Sequence, residues 1–184
     1  MSRPLVPPWD LAVVLEGHKD PLFELLEGTD LKRVSLKTVL LLALALAKRV
    51  CDIHALSMHP SCAQLFSGDV ILKPNPAFVP KVVGSCSPIY LVAFAAPPGE
   101  QRSHALCPVR AVHTDMDRTR VFRRSDQLFV PWANPHMGKS VTKQRLSHWV
   151  LEAIALAYTS QGFQPPVGLR EHLDFFYRPQ CKRL

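Results

Sequence analysis

The sequence lacks the features of several large protein classes. Its most apolar run, Val39 to Ala47, is far shorter than the about 20 residues that cross a bilayer. The N-terminus has no apolar segment followed by a cleavage site, as a secretory leader would. The cysteines are odd in number and form no regular framework: Cys51, Cys62, Cys86, Cys107 and Cys181. We therefore expect no membrane span and a reducing compartment in which the thiols stay free.

Familiar catalytic signatures are missing too. The chain has no G-x-S-x-G elbow and no glycine-rich phosphate loop of the Walker or dinucleotide type. It also has no internal repeat, no low-complexity tract and no shift in composition that would mark a second domain. The pattern predicts a single domain over residues 1–184.

What the sequence has in excess is positive charge and proline. Lys and Arg number 22 against 15 Asp and Glu, which gives a formal net charge of +7. Such an excess favours polyanionic partners, nucleic acid first and anionic membrane second, and a basic protein with neither partner is the alternative. The 17 prolines indicate short elements joined by stiff loops.

The clearest helix lies late in the chain. An apolar stripe recurs with helical spacing from Leu146 to Tyr158, with Ser140 or Thr142 placed to cap its start and Gly162 placed to end it. The stripe consists of Leu146, Trp149, Val150, Ala153, Ile154, Ala157 and Tyr158. A second short helix is expected near Val167.

Other segments complete the expected fold. Ser35 should cap an apolar, central helix over residues 36–50, and shorter helices are expected over Pro8–Glu16 and Leu106–Met116. Val70–Lys73 and Ala77–Val83 predict a β-hairpin around two prolines, and Ile89–Ala95 and Gln127–Val130 predict further strands. The fold class is therefore mainly α with a small antiparallel β-sheet.

Two basic features have alternative explanations. Arg49, at the end of the expected central helix, either pairs with Asp52 or binds a phosphate, and the spacing alone favours the ion pair. A dense cluster follows the Leu106–Met116 helix and consists of Arg118, Arg120, Arg123 and Arg124. It is either a solvated turn, the commoner case, or a contact to a phosphate backbone.

One spacing raises the question of a metal site. Cys51, His54, His59 and Cys62 form C-x2-H-x4-H-x2-C, and all four side chains are zinc ligand types. The gap between the two pairs is short for a zinc finger, and the segment continues a buried helix. A core cysteine and loop histidines are the favoured interpretation, and no metal is expected.

Several of these segments, taken together and in order, resemble one family. They are LLLALALAKRVCDIHALSMHPSC, ILKPNPAFVPK, HALCPVRAV, FRRSDQLFV, GKSVTKQRLSHWVLEAIALAYTSQG and PPVGLREH. The chain resembles the catalytic domain of tyrosine recombinases, the phage-integrase family, and most closely the recombinases of DIRS-type and Ngaro-type retrotransposons. The resemblance covers about residues 8–172, followed by a divergent tail over 173–184. It implies a truncated recombinase catalytic core without the N-terminal core-binding domain.

The resemblance implies a set of site residues. Arg49 opens Arg49-Val50-Cys51-Asp52-Ile53, which is similar to the motif of the first catalytic arginine, and this favours the phosphate-ligand interpretation. Lys73, with Lys81 as a weaker candidate, would be the hairpin lysine, and His172 the histidine of an H-x-x-R motif. No cofactor is implied. The expected contacts to double-stranded DNA are Arg49, Arg118, Arg120, Arg123, Arg124, Lys143, Arg145 and Arg170.

The resemblance is also incomplete. Phe175 stands where the second arginine belongs. For the nucleophilic tyrosine, Tyr177 is too close to His172, and Tyr90 and Tyr158 come too early. Without that tyrosine no covalent phosphotyrosyl intermediate forms.

We therefore expect a nuclear, mobile-element-derived protein that binds DNA without strand exchange. Two alternatives are a subunit that receives its tyrosine in trans and a protein–protein interaction module that does not bind DNA. Missing C-terminal helices should also leave the apolar face of the Val141–Tyr158 helix partly uncovered, which would favour self-association.

Overall fold

Five helices and a small antiparallel sheet make up the described part of the chain. The computed structural model describes residues 9–79, 87–95 and 104–169. In chain order the elements are α1 (Leu11–Gly17), α2 (Leu31–Leu46), α3 (Val50–His54), β1 (Leu56–Ser57), β2 (Ala63–Leu65), β3 (Asp69–Pro74), β4 (Ile89–Val92), α4 (Pro108–Thr119) and α5 (Lys143–Ser160). The α+β class expected from the sequence is confirmed.

Helix α2 lies in the centre of the fold, as its apolar sequence predicts. It packs against α4 on one side and α5 on another, and its residues from Val34 to Ala43 are all buried. The prediction that Ser35 caps this helix is wrong. The Asp30 side chain caps the helix instead, accepting a 2.8 Å hydrogen bond from the Lys32 N–H. Ser35 is buried inside the helix, where its hydroxyl donates to Asp115 at 2.5 Å.

The end of α2 also differs from the prediction. The helix stops at Leu46, and Ala47 adopts a left-handed conformation with φ of +46°. This conformation costs a residue with a Cβ about 1–2 kcal/mol. The left-handed conformation also turns the chain sharply. Arg49 is therefore not the last residue of the central helix. It is the N-cap of the separate short helix α3.

Strand β3 is the hub of the sheet, because it pairs antiparallel with each of the other three strands. The predicted hairpin between 70–73 and 77–83 is wrong in its described part. Residues 77–79 are not in a strand, and 80–86 lie outside the described residues. The partners of β3 are β1 and β2 before it and β4 after it, and β4 confirms a strand within Ile89–Ala95. Val70, Leu72 and Leu91 form its buried face.

Residues 128–130 are buried, but no strand forms there. Gln127 makes one isolated bridge with Ser57, and the Leu128 N–H donates to the Leu56 carbonyl. This short extended segment covers one end of the sheet.

Helix α5 confirms the strongest sequence pattern. All seven residues of its apolar stripe are buried, Thr142 caps its start, and Gly162, with φ of +76°, follows its end. The stripe packs on α1, α2 and α3. The expectation that this face is left partly uncovered is therefore wrong, and it no longer supports self-association. None of the helices in the described ranges is long and apolar enough to cross a membrane.

Candidate functional site

Arg49 presents its side chain to solvent at the start of α3. Its backbone N–H donates to a carboxylate oxygen of Asp52 at 3.3 Å, which caps the helix. Within the described part of the chain, the guanidinium makes no salt bridge with Asp52 or any other residue. The prediction of an Arg49–Asp52 ion pair, which the spacing alone favoured, is therefore wrong. The guanidinium is open to a ligand.

Lys73 lies on β3 opposite Ser57. Its backbone N–H donates to the Cys62 carbonyl at 2.7 Å, so the strand fixes its position. No hydrogen bond or ion pair joins its half-buried side chain to another described residue. The residues next to Arg49 and Lys73 meet in one cleft, which is lined by Lys48, Asp52, Leu56, Pro74, Phe78, Ser87 and Ile89. Arg49 and Lys73 themselves do not line this cleft.

The remaining members of that set lie outside the described residues. These are His172, Arg170, the weaker lysine candidate Lys81, and Phe175. The short helix expected near Val167 begins as a turn over residues 167–169 and then passes out of the described range.

A link that the sequence does not reveal joins α3 to the start of α5. The Nε2–H of His54 donates to the Val141 carbonyl at 2.8 Å. The Gln127 side chain accepts a 2.7 Å hydrogen bond from the Val141 N–H, and its amide nitrogen lies 3.1 Å from His54 Nε2. Burial lowers the pKa of His54, the hydrogen bond to Val141 raises it, and the nearby Lys143 charge lowers it further. On balance the pKa is lowered, which favours the neutral ring between the two helices.

Helix α5 begins next to this link with a basic first turn. The Thr142 hydroxyl accepts a 3.2 Å hydrogen bond from the Arg145 N–H, while Lys143 and Arg145 are exposed. The N-terminus of an 18-residue helix carries partial positive charge from its unpaired N–H groups. The two cations and the helix end therefore combine to favour an anion.

The arginine cluster begins in the last turn of α4 and contains two kinds of side chain. Arg118 donates to the carbonyls of Leu26 and Thr29. Arg123 donates to the Thr119 hydroxyl and to the carbonyls of Gln127 and Leu128, and burial lowers its pKa. Both guanidiniums thus hold loops inside the fold. Arg120 and Arg124 are exposed.

Each of the four possible zinc ligands has a hydrogen-bonding partner in the protein, and for the Cys51 thiol this is the Asp52 carboxylate at 3.8 Å. His54 contacts Val141, His59 Nδ1 lies 2.8 Å from the Ser61 hydroxyl, and the Cys62 thiol donates to the Pro74 carbonyl at 3.7 Å. Over residues 9–79, 87–95 and 104–169, no group of three or more His, Cys, Asp or Glu side chains is arranged to hold a metal ion.

Sequence reasoning missed two contributors to this region. Gln127 accepts the Val141 N–H beside His54, and its only sequence signal is a polar residue before a buried run. Lys139 is exposed beside Gly138, whose carbonyl accepts a 2.8 Å hydrogen bond from the Arg124 N–H. That contact brings Lys139 and Arg124 together from separate loops.

Comparison with known proteins gives no relative. No family model matches the chain, and neither a curated protein nor a solved structure matches it significantly.

Proposed function

We propose that this chain binds double-stranded DNA through phosphate contacts made by one exposed basic face. The basic face consists of Arg49, Arg124, Lys139, Lys143 and Arg145. The observation that carries the proposal is the His54–Val141 hydrogen bond, which holds the helix begun by Arg49 against the turn that precedes Lys143. Helix α3 has five residues and is therefore about 8 Å long, so Arg49 lies one short helix away from this hydrogen bond.

The second half of the face is held by another fixed contact. The Arg124 N–H donates to the Gly138 carbonyl, so Arg124 lies next to Lys139, which is four residues before Lys143 in the chain. Each cation that meets a phosphate releases a condensed counterion from the duplex, and this release supplies most non-specific affinity. The net charge of +7 adds long-range attraction.

We further propose that the basic face corresponds to the phosphate-binding surface of a tyrosine-recombinase-like core, derived from a mobile element and acting in the nucleus. The sequence resemblance supports this relationship, as does the exposed guanidinium of Arg49, which makes no salt bridge with a described residue. In that role, Arg49 binds non-bridging oxygens of a phosphate and Lys73 lies at the edge of the same site, with His172 as the third member.

Strand exchange is not part of the proposed function. Phe175 stands at the position of the second arginine, and a phenyl ring offers no hydrogen bond to the charge that develops on a phosphate. Tyr158 is buried, and its hydroxyl accepts a 2.6 Å hydrogen bond from the Asp10 N–H. It is therefore not placed to attack DNA.

The test compares charge removal on and off the basic face. Affinity for a short labelled duplex is measured by fluorescence anisotropy at low salt for Arg49→Ala and Lys143→Ala. Lys19→Ala is the matched control. Its ammonium pairs with Glu16, and the neighbouring Asp20 contacts Gln161, at the opposite end of α5 from Lys143.

Each variant on the face should weaken binding several-fold, because each removes one phosphate contact, while Lys19→Ala should bind as the unmodified chain does. Equal affinities for all four proteins, or no binding of the folded unmodified chain at low salt, would refute the proposal.

A further inference from the structure

The side of the sheet that points away from the core carries large exposed side chains. Tyr90 and Val92 on β4 are 68% and 72% exposed, and Phe66, which follows β2, is 47% exposed. We call this surface the outer sheet face; it consists of Phe66, Asp69, Ile71, Lys73, Tyr90 and Val92. Large apolar side chains gathered on one exposed face are typical of a surface that meets another molecule.

Strand pairing places these side chains on one side of the sheet. In the β3–β4 register, Tyr90 lies opposite Ile71 and Val92 lies opposite Asp69. Residues directly opposite share a face, and residues two apart along a strand return to the same face. Lys73 is therefore on the outer side with Ile71. The residues that alternate with this set are buried in the core: Val70, Leu72 and Leu91.

The outer sheet face carries one charge of each sign on its central strand. Asp69 begins β3 and Lys73 lies four residues later, with Ile71 midway between them. Both charged residues are half-buried, and neither makes an ion pair with another described residue. Four residues of extended chain span about 13 Å, so the two charges do not pair with each other. A partner that supplies both counter-ions is therefore favoured.

We propose that two copies of the chain pack their outer sheet faces together about a two-fold axis that passes near Ile71. A two-fold interface brings residue i of one copy against residue j of the other, and j against i. When the axis runs across the strands, Asp69 of each copy meets Lys73 of the other, because both lie two residues from Ile71. Two ion pairs then flank a centre formed by Ile71 and Tyr90. This inference does not depend on the proposed DNA binding.

A second copy fits this face because the face is complementary to itself. Rotation about the axis reverses the strand direction and sets opposite charges against each other, whereas parallel stacking would set Asp69 against Asp69. Packed sheets lie about 10 Å apart, a gap that the long side chain of Lys73 and the shorter one of Asp69 span from opposite sides. The three strands have at most six residues each, so the interface is small and the dimer should be weak and concentration-dependent.

The test is sedimentation equilibrium of the full chain over a concentration series. DNA is left out, because its phosphates would compete for Lys73. The unmodified chain should show a monomer–dimer equilibrium. Asp69→Lys and Lys73→Asp should each weaken the dimer at least about tenfold, because either reversal turns two attractive pairs into two repulsive ones. Asp117→Lys makes the same change of net charge as Asp69→Lys at an exposed position of α4 and should leave the dimer unchanged.

A mixture of the two reversed chains should restore association. The Asp69→Lys chain presents two positive ends and the Lys73→Asp chain two negative ends, so they should bind each other although each alone dimerises poorly. The double substitution Asp69→Lys with Lys73→Asp returns opposite charges to one chain and should dimerise as the unmodified chain does. A chain that had merely misfolded would not regain association in either way.

Three results would overturn the proposal. A folded unmodified chain that stays monomeric throughout the series would leave the outer sheet face to a different protein. A dimer that survives both single reversals would show that the contact lies elsewhere on the chain. Failure of the mixed reversed chains to associate, while thermal melting shows both folded, would refute the pairing of Asp69 with Lys73. None of these results bears on duplex binding, which Arg49→Ala and Lys143→Ala test separately.

Discussion

The imidazole of His54 donates to the carbonyl of Val141 at 2.8 Å, and this contact joins the C-terminal end of α3 to the start of α5. On one side, α3 carries Arg49 at its N-cap. On the other side, Val141 leads directly into the first turn of α5 with Lys143. Neither helix alone defines a site. The proposed basic face exists because a polar contact holds them together.

Gln127→Leu should destabilise the fold at this junction. The Gln127 side chain accepts the 2.7 Å hydrogen bond of the Val141 N–H, and leucine leaves that donor without a partner. The expected loss is about 1–3 kcal/mol in the free energy of unfolding, measured by urea denaturation. Gln144→Leu, on the exposed side of α5, is the control. Identical unfolding midpoints for the two variants would contradict the role of Gln127.

Gly17→Ala should destabilise the packing of α1 on α5. A Cβ at Gly17 would lie 2.5 Å from the Ala157 carbonyl oxygen and 2.8 Å from its Cβ, so the helices would have to separate. Overpacking of this kind costs about 1–3 kcal/mol. At Gly68 an added Cβ meets nothing within 4 Å, so Gly68→Ala is the matched control. A thermal melt in which both variants unfold at the same temperature would rule out the close approach.

Asp115→Asn should change how stability depends on pH. Burial raises the pKa of Asp115 from 3.8 to about 6, although its hydrogen bond from Ser35 opposes the shift. The fold therefore prefers the neutral carboxyl. This contribution to stability is fully present below pH 3.8 and is lost as the pH rises through about 6. Asparagine stays neutral throughout.

The stability of Asp115→Asn relative to the unmodified chain should therefore rise between acid and neutral pH, by about 3 kcal/mol at most. Denaturant titrations across this pH range measure it, and the exposed Asp117 takes the same substitution as a control. The relevant quantity is the difference in the free energy of unfolding between the variant and the unmodified chain. His18 changes stability with pH in the opposite direction, and it does so in both proteins. Its buried ring has a pKa lowered to about 3. A pH-independent difference would contradict the account of Asp115.

The chain should form no covalent adduct with DNA. Tyr158 is held in the core by Asp10. In the proposed recombinase-like relationship, Phe175 stands at the position of the arginine that would stabilise the transition state. A nicked duplex that traps phosphotyrosyl intermediates, followed by a denaturing gel, measures this directly. A shifted band that disappears in Tyr90→Phe or Tyr177→Phe would show that the chain retains a nucleophile.

The long-range features of this fold are only partly readable from its sequence. The stripe of α5 and the apolar length of α2 predict both helices, because burial of an apolar face is encoded locally. The start of α2 is misread because Lys32 and Arg33 look like a solvated turn, whereas Asp30 caps a helix whose first turn is charged. Its end is misread because Ala47 adopts a conformation that alanine normally avoids.

The candidate site, like the fold, is only partly readable from the sequence. Arg49 and Lys73 can be selected from the sequence only through a family resemblance, and the position of Lys73 opposite Ser57 depends on the pairing of β1 with β3. The inward direction of Arg118 and Arg123 is not readable at all, because the carbonyls that bind them belong to distant loops or to the turn itself. Gln127 and Lys139 enter the region through tertiary contacts alone.

The central claim is that the basic face binds phosphates, and the salt dependence of duplex affinity tests it most directly. The logarithm of the association constant should fall linearly with the logarithm of salt concentration. For Arg49→Ala combined with Lys143→Ala, the slope should be shallower by about 2, one for each lost phosphate contact. Lys19→Ala should keep the unmodified slope. A slope that the double substitution leaves unchanged would show that DNA, if bound, is bound elsewhere.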